Sequence, residues 1–298
     1  MVVSGVQPGP GMWKVTKGDH VLWVLGVQSP LPKNMEWHSP DVEAAIAQSQ
    51  EMLAQPGVMI GMSPGGMVRA MFAMPTLLKV RKLPDGQTLD DVLPPDLYAR
   101  WLQLKPRYLA KNKDVEQWRP IFAAQALYDS AIAQAGLKGG AVATEVFKLA
   151  EDHKVKVTST SLSAMVSKPK ALAKSFSQST LDEVACFRDT LNQLEFDVAT
   201  TVARANAWAV GDVEEMVRLT GQNSMRNCIK AISEAEAMRT LGLDNAETKL
   251  EAKWLRAAET ALTRNRSSFA MLSVPHLLRA NSYLAKLQAK GYTVEAPQ

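Results

Sequence analysis

Phe269-Ala270-Met271-Leu272-Ser273-Val274-Pro275-His276-Leu277-Leu278, followed by a short helical pattern and Lys290-Gly291-Tyr292-Thr293-Val294-Glu295, decides how this chain folds. The run from Phe269 to Leu272 is apolar and too short for a helix. It breaks at Ser273 and Pro275, so it reads as a buried strand entering a turn that carries His276. A helix, a glycine stop at Gly291 and a closing strand follow. The start of the chain has a counterpart. Val21-Leu22-Trp23-Val24-Leu25-Gly26-Val27-Gln28-Ser29 is again a strand running into a turn. Before it, Met12 to Thr16 is a second Val- and Trp-containing run, joined to Val21–Leu25 through Lys17-Gly18-Asp19-His20, which predicts a β-hairpin.

Between these ends the pattern is mostly helical. Ser39 is a good N-cap and Pro40 suits the first helical position, predicting a helix to about Leu53, before Pro56-Gly57. Val58 to Gly61 reads as a short strand. Leu97, Trp101, Leu104 and Tyr108 recur at helical spacing, as do Val115, Trp118, Phe122 and Ala126. A helix from Ala141 to His153 leads into the alternating run Lys154 to Ser159, a strand. Ser167 to Ser179 has few large apolar residues and reads as a surface connection. Thr180-Leu181-Asp182-Glu183 is a capping box that opens a long helix. Three more helical stretches follow, one opening at Asp212 after Gly211, then roughly Met225 to Leu241 and Ala246 to Arg264. Strands at both ends and near residue 157, with helices between, predict one helix-rich α/β domain over 12–298. Its small mixed sheet is assembled from both chain ends, behind a flexible leader at 1–11.

Composition narrows the function classes. The chain has 298 residues, 46% hydrophobic and 21% charged, as expected of a globular protein with a sizeable core. A net charge of +4, with Lys and Arg scattered among acids along the chain, argues against a nucleic-acid binder. Val58 to Leu78 is apolar but holds Pro64, Gly65, Gly66, Arg69 and Pro75. It therefore does not read as a membrane span, which needs about 20 uninterrupted residues. Met59, Met62, Met67, Met71 and Met74 fall here; such residues are commonly core, the alternative being an adaptable peptide-binding surface. The start has no basic region followed by a long apolar run, so it could be a native start or a mature one after signal removal. Cys186 and Cys228 are open to three readings: inert thiols, a disulfide or a reactive thiol.

The order of these segments resembles the TraB/GumN family, relatives of the Tiki metalloproteases. Met12 to Val15 and Val21 to Gly26 are similar to its opening hairpin. Gly86-Gln87-Thr88-Leu89-Asp90-Asp91-Val92-Leu93-Pro94 and Ala207-Trp208-Ala209-Val210-Gly211-Asp212 resemble internal segments. Arg264-Asn265 resembles the pair ending the helix before the last strand. The family carries glycine-x-x-histidine after a strand at both ends and a glutamate after its first helix. Here the first histidine falls on Ser29 and the glutamate on or near Gln55. The second motif has Ser273 for its glycine and keeps His276. The resemblance implies a site for a divalent metal, built from two imidazoles and a carboxylate. A hydroxyl and an amide are weak ligands in their place.

Ser29, Gln55 and His276 are thus candidate catalytic residues, and His276, Arg264 and Asn265 candidate binding residues, with no metal or cofactor expected. Arg264 and Asn265 are expected to face the same turn as His276. A Ser29 nucleophile would need a base such as His276 and an oxyanion hole, and no glycine-x-serine-x-glycine elbow surrounds it. His20, His38 and His153 lack metal spacing and read as solvated. The expectation is a degenerate member that binds a peptide or other small ligand. The alternative is an active hydrolase, metal-dependent or using Ser29. The family resemblance implies a periplasmic or secreted location; a cytoplasmic one is the alternative.

Overall fold

The structure, a computed structural model, describes residues 10–35, 37, 39–178, 182–219 and 226–297. Most of the predicted leader, His38 and the Thr180 end of the capping box lie outside the described residues. The hairpin forms where its sequence places it. Strand β1 (Met12–Lys17) turns through Gly18, at φ 61°, into β2 (His20–Val27). A short β3 (Leu31–Pro32) leads to α1 (Pro40–Ala47), capped by the Ser39 hydroxyl accepting from the Val42 amide at 3.3 Å. This helix ends at Ala47, not at Leu53. Residues 51–53 instead form β4 (Glu51–Leu53), because Met52 and Leu53 are fully buried between two other strands.

Next come β5 (Val58–Met62) and α2 (Pro64–Lys79), then the helices α3 (Leu89–Val92), α4 (Pro95–Tyr108) and α5 (Pro120–Gln134). The spacing of Val115, Trp118 and Phe122 suggested one helix. Pro120 instead starts α5, and Val115 lies in a separate turn before it. A short β6 (Leu137–Lys138) precedes α6 (Ala141–Asp152) and β7 (Lys156–Thr158). Strand β8 (Leu162–Val166) then pairs with β5, and the stretch from Ser167, expected as a surface connection, instead forms α7 (Pro169–Gln178), which packs on α2. Asp182 caps α8 (Glu183–Ala209) by accepting from the Ala185 amide. Four more helices follow: α9 (Val213–Leu219), α10 (Arg226–Glu234), α11 (Glu236–Thr240) and α12 (Ala246–Arg264). The chain closes with β9 (Ser267–Ser273), α13 (Val274–Leu278), α14 (Tyr283–Ala289) and β10 (Thr293–Glu295).

Both chain ends enter one six-stranded mixed sheet in the order β10-β1-β2-β9-β4-β7. Strands β2, β9, β4 and β7 run parallel; β1 and β10 close one side antiparallel. Alternation along β9 feeds two cores. Phe269 and Met271 join Val42, Ile46, Val146 and Trp208 on one face of the sheet. Ala270 and Leu272 join Trp254, Leu262, Leu284 and Leu287 on the other. A third core is all helical: Trp101 and Leu127 pack on Phe187 and Leu191 of α8. Cys186 and Cys228 form a disulfide that ties α8 to α10, with Cα atoms 4.3 Å apart.

Candidate functional site

Register places the predicted site. Ala270 of β9 pairs with Val24 of β2 on one side and Leu53 of β4 on the other. All three strands run the same way, so the residues after them leave one edge of the sheet. Ser29 follows β2, Gln55 follows β4 and His276 follows β9. Three segments remote in sequence therefore converge on the carboxyl ends of adjacent parallel strands, where open α/β sheets form ligand crevices. Ser29 is exposed, and Gln55 and His276 are partly so. The Ser29–Pro30 peptide is cis, and the Ser29 hydroxyl lies beside Gly139, before α6.

Gly26 explains the glycine at the head of the first motif. A Cβ there would lie 3.1 Å from Leu277 Cδ1, 3.2 Å from Trp13 Cζ3 and 3.4 Å from Val274 Cγ2. The helix that carries His276 thus sits directly on the β2 backbone. From the other face the indole of Trp208 donates to the Gly26 carbonyl at 2.6 Å.

Ser273, which stands for glycine in the second motif, is engaged with His276. Its hydroxyl and the His276 Nδ1 share a hydrogen bond of 2.8 Å, one turn apart on α13. The imidazole stacks on Tyr283, with ring centroids 5.3 Å apart, and Tyr283 packs on Trp254. Arg279 lies over the Tyr283 ring and pairs with Glu247 at 2.9 Å and Glu251 at 3.2 Å; Lys286 also pairs with Glu251. Burial, and next the Arg279 charge, hold His276 below the usual imidazole range, against a smaller opposing pull from Glu247 and Glu251. Burial pushes the Tyr283 phenol up to about 12. His276 is therefore neutral at pH 7. Among the described residues no hydrogen bond joins it to Ser29, so the pairing a serine nucleophile needs is not formed.

Arg264 and Asn265 do not share this turn. They precede β9 and His276 follows it, so a seven-residue strand, about 20 Å long, separates them. Arg264 is exposed. The Asn265 amide donates to Glu51 and to Ser268, both at 3.1 Å, and its carbonyl pairs with His20 Nδ1 at 2.7 Å. These bonds clasp the amino ends of β2, β4 and β9. His20 is thus part of this clasp and not a freely solvated hairpin residue. Sequence spacing missed the clasp because Glu51 and His20 lie more than 200 positions from Asn265.

Among the described residues no group of three or more His, Cys, Asp or Glu side chains could hold a metal ion. A family model described as the TraB/PrgY/gumN family matches residues 11–296. The chain belongs to the TraB/PrgY/gumN family. No curated protein and no solved structure matches it significantly. The two segments that resemble the family's motifs lie at the ends of the central neighbours β2 and β9. The residues present there do not fit the metal that the family resemblance implies. One imidazole stands beside a hydroxyl at Ser29 and an amide at Gln55, both weak ligands.

Proposed function

We propose that this protein is a catalytically degenerate member of its family, which binds a ligand, in the first place a peptide, at the carboxyl edge of β2, β4 and β9 without hydrolysing it. The observation that carries this is the donor set at three adjacent strand ends: a hydroxyl at Ser29, an amide at Gln55 and a single imidazole at His276. Neutral oxygen donors neither offset a dication's charge nor compete with water for it, so firm metal binding is not supported. The site keeps its shape, because Gly26, Trp208 and α13 are still packed around it.

Metal analysis tests this. Purified protein should carry less than stoichiometric zinc, manganese or iron after dialysis. Ser29→His with Gln55→Glu should raise zinc affinity if the three positions form one site. One tightly held ion per wild-type chain, lost in His276→Ala, would restore the hydrolase reading. We also propose a periplasmic or secreted location. The disulfide between α8 and α10 supports it, because such bonds persist in oxidising compartments. Mass spectrometry of unreduced, alkylated protein from the native compartment is the check; two alkylated thiols would count against export.

A further inference from the structure

Two stretches far apart in the chain make one lobe beside the site. Strands β5 and β8 pair in parallel, and the helices that follow them, α2 and α7, pack on each other. Residues 58–82 contain four Lys or Arg and residues 162–178 contain three, and neither stretch contains an Asp or Glu. In a chain with 30 acids among 298 residues, about four would be expected in stretches of this combined length. Read along the sequence the bases look scattered; the fold gathers them. Arg69, Lys79, Lys82, Lys168, Lys170 and Lys174 are all exposed.

The same lobe displays its apolar side chains. Phe72 is 85% exposed, Met71 73%, Met67 60% and Met59 59%. Of the two readings of Met59, Met62, Met67, Met71 and Met74, core or adaptable surface, the structure has the second: all five are exposed. Helix α2 is about 24 Å long, and Ala73 is its one buried apolar side chain among the described residues. An apolar helix left in water in this way marks a contact with something else.

Charge decides among occupants. A second copy of the face would set cations against cations with no carboxylate from either lobe to offset them. A stereospecific protein partner needs directional polar groups set among the apolar ones. Here Met67, Val68, Met71 and Phe72 present none, and flexible methionine and phenylalanine side chains suit a fluid, apolar medium. We propose that this lobe docks on a bilayer surface carrying anionic headgroups. Helix α2 lies in the interface plane with Phe72 and Met71 among the acyl chains, and the lysines of α7 face lipid phosphates. No helix among the described residues is long and apolar enough to cross a membrane, so the attachment is to one surface.

Flotation of the purified full chain with vesicles tests this, using phosphatidylcholine alone and phosphatidylcholine mixed with phosphatidylglycerol. Wild type should float only with the mixed vesicles, and less as salt is raised. Each lysine near an anionic surface contributes roughly fivefold, so Lys168→Glu, Lys170→Glu and Lys174→Glu together should weaken binding by roughly a hundredfold or more. Met71→Asp with Phe72→Asp should also abolish flotation. Both side chains are exposed, so circular dichroism and melting temperature should be unchanged. Failure of wild type to float with anionic vesicles overturns the proposal. So does flotation that survives the Met71 and Phe72 changes, or a wild-type dimer in solution that those changes dissociate.

Discussion

Gly26→Ala tests whether the sheet and the His276 helix are as closely packed as the geometry requires. The added methyl meets Leu277 at 3.1 Å, Trp13 at 3.2 Å and Val274 at 3.4 Å. All three are buried side chains with other groups behind them. Overpacking of this kind costs about 1–3 kcal/mol. Replacing glycine also restricts the unfolded chain, which offsets about 0.4–1 kcal/mol. The net loss thus runs from about zero to about 2.6 kcal/mol. Unfolding entropy of about 2.1 cal/mol/K per residue over 298 residues makes this a fall in Tm of up to roughly 4 °C. Thermal unfolding followed by circular dichroism is the assay. Leu277→Ala supplies the control: it is destabilising alone, but in its background Gly26→Ala should cost less, because the nearest obstacle is gone. Gly26→Ala at or above wild-type stability, with no coupling to position 277, would refute the close-packing argument and with it the reason given for glycine in the first motif.

Asp197 accepts from the Tyr128 hydroxyl at 2.7 Å and pairs with Arg204 in a site almost closed to water, so Asp197→Ala should cost about 3–5 kcal/mol in urea unfolding. Breaking the disulfide by Cys186→Ser with Cys228→Ser releases a loop of 42 residues, which should lower stability by roughly 4 kcal/mol on chain-entropy grounds. His276 binds its proton less readily folded than unfolded, so its contribution is fully present above the unfolded value of 6.5 and is lost as pH falls below that towards the folded value. Melting curves between pH 8 and pH 5 should therefore fall less steeply for His276→Gln than for wild type. An equal slope would mean the imidazole is not buried as described.

Long, strongly patterned elements were legible in the sequence. The hairpin turns at Gly18, α12 runs from Ala246 to Arg264 as its pattern indicates, and β9 enters the sheet beside β2. What was missed is short or depends on neighbours. Glu51 to Leu53 has too few residues to show a period, and only burial between β9 and β7 makes it a strand. Helix α7 hides because Ala173, a small residue, is its buried contact. Arg264 and Asn265 are expected on the same turn as His276, and the fold does not place them there. A strand between two points separates them by its full length, and the bonds of Asn265 run instead to Glu51 and His20.

The candidate site was legible as positions but not as interactions. Ser29, Gln55 and His276 could be matched one by one, yet Ser273 was counted only as a lost glycine. In the fold its hydroxyl sits 2.8 Å from the one imidazole the motif keeps. The two departures then work together. On the proposed reading, the hydroxyl at position 29 and the amide at position 55 leave His276 without a metal to share. The Ser273 hydroxyl and the Tyr283 ring then fix its orientation, while desolvation and the Arg279 charge favour its neutral form. A neutral, oriented imidazole serves a binding site as a directional donor or acceptor. The Ser273 bond would leave Nε2 available to a metal, so what argues against firm ligation is the hydroxyl and amide at positions 29 and 55 and not the contact at Nδ1.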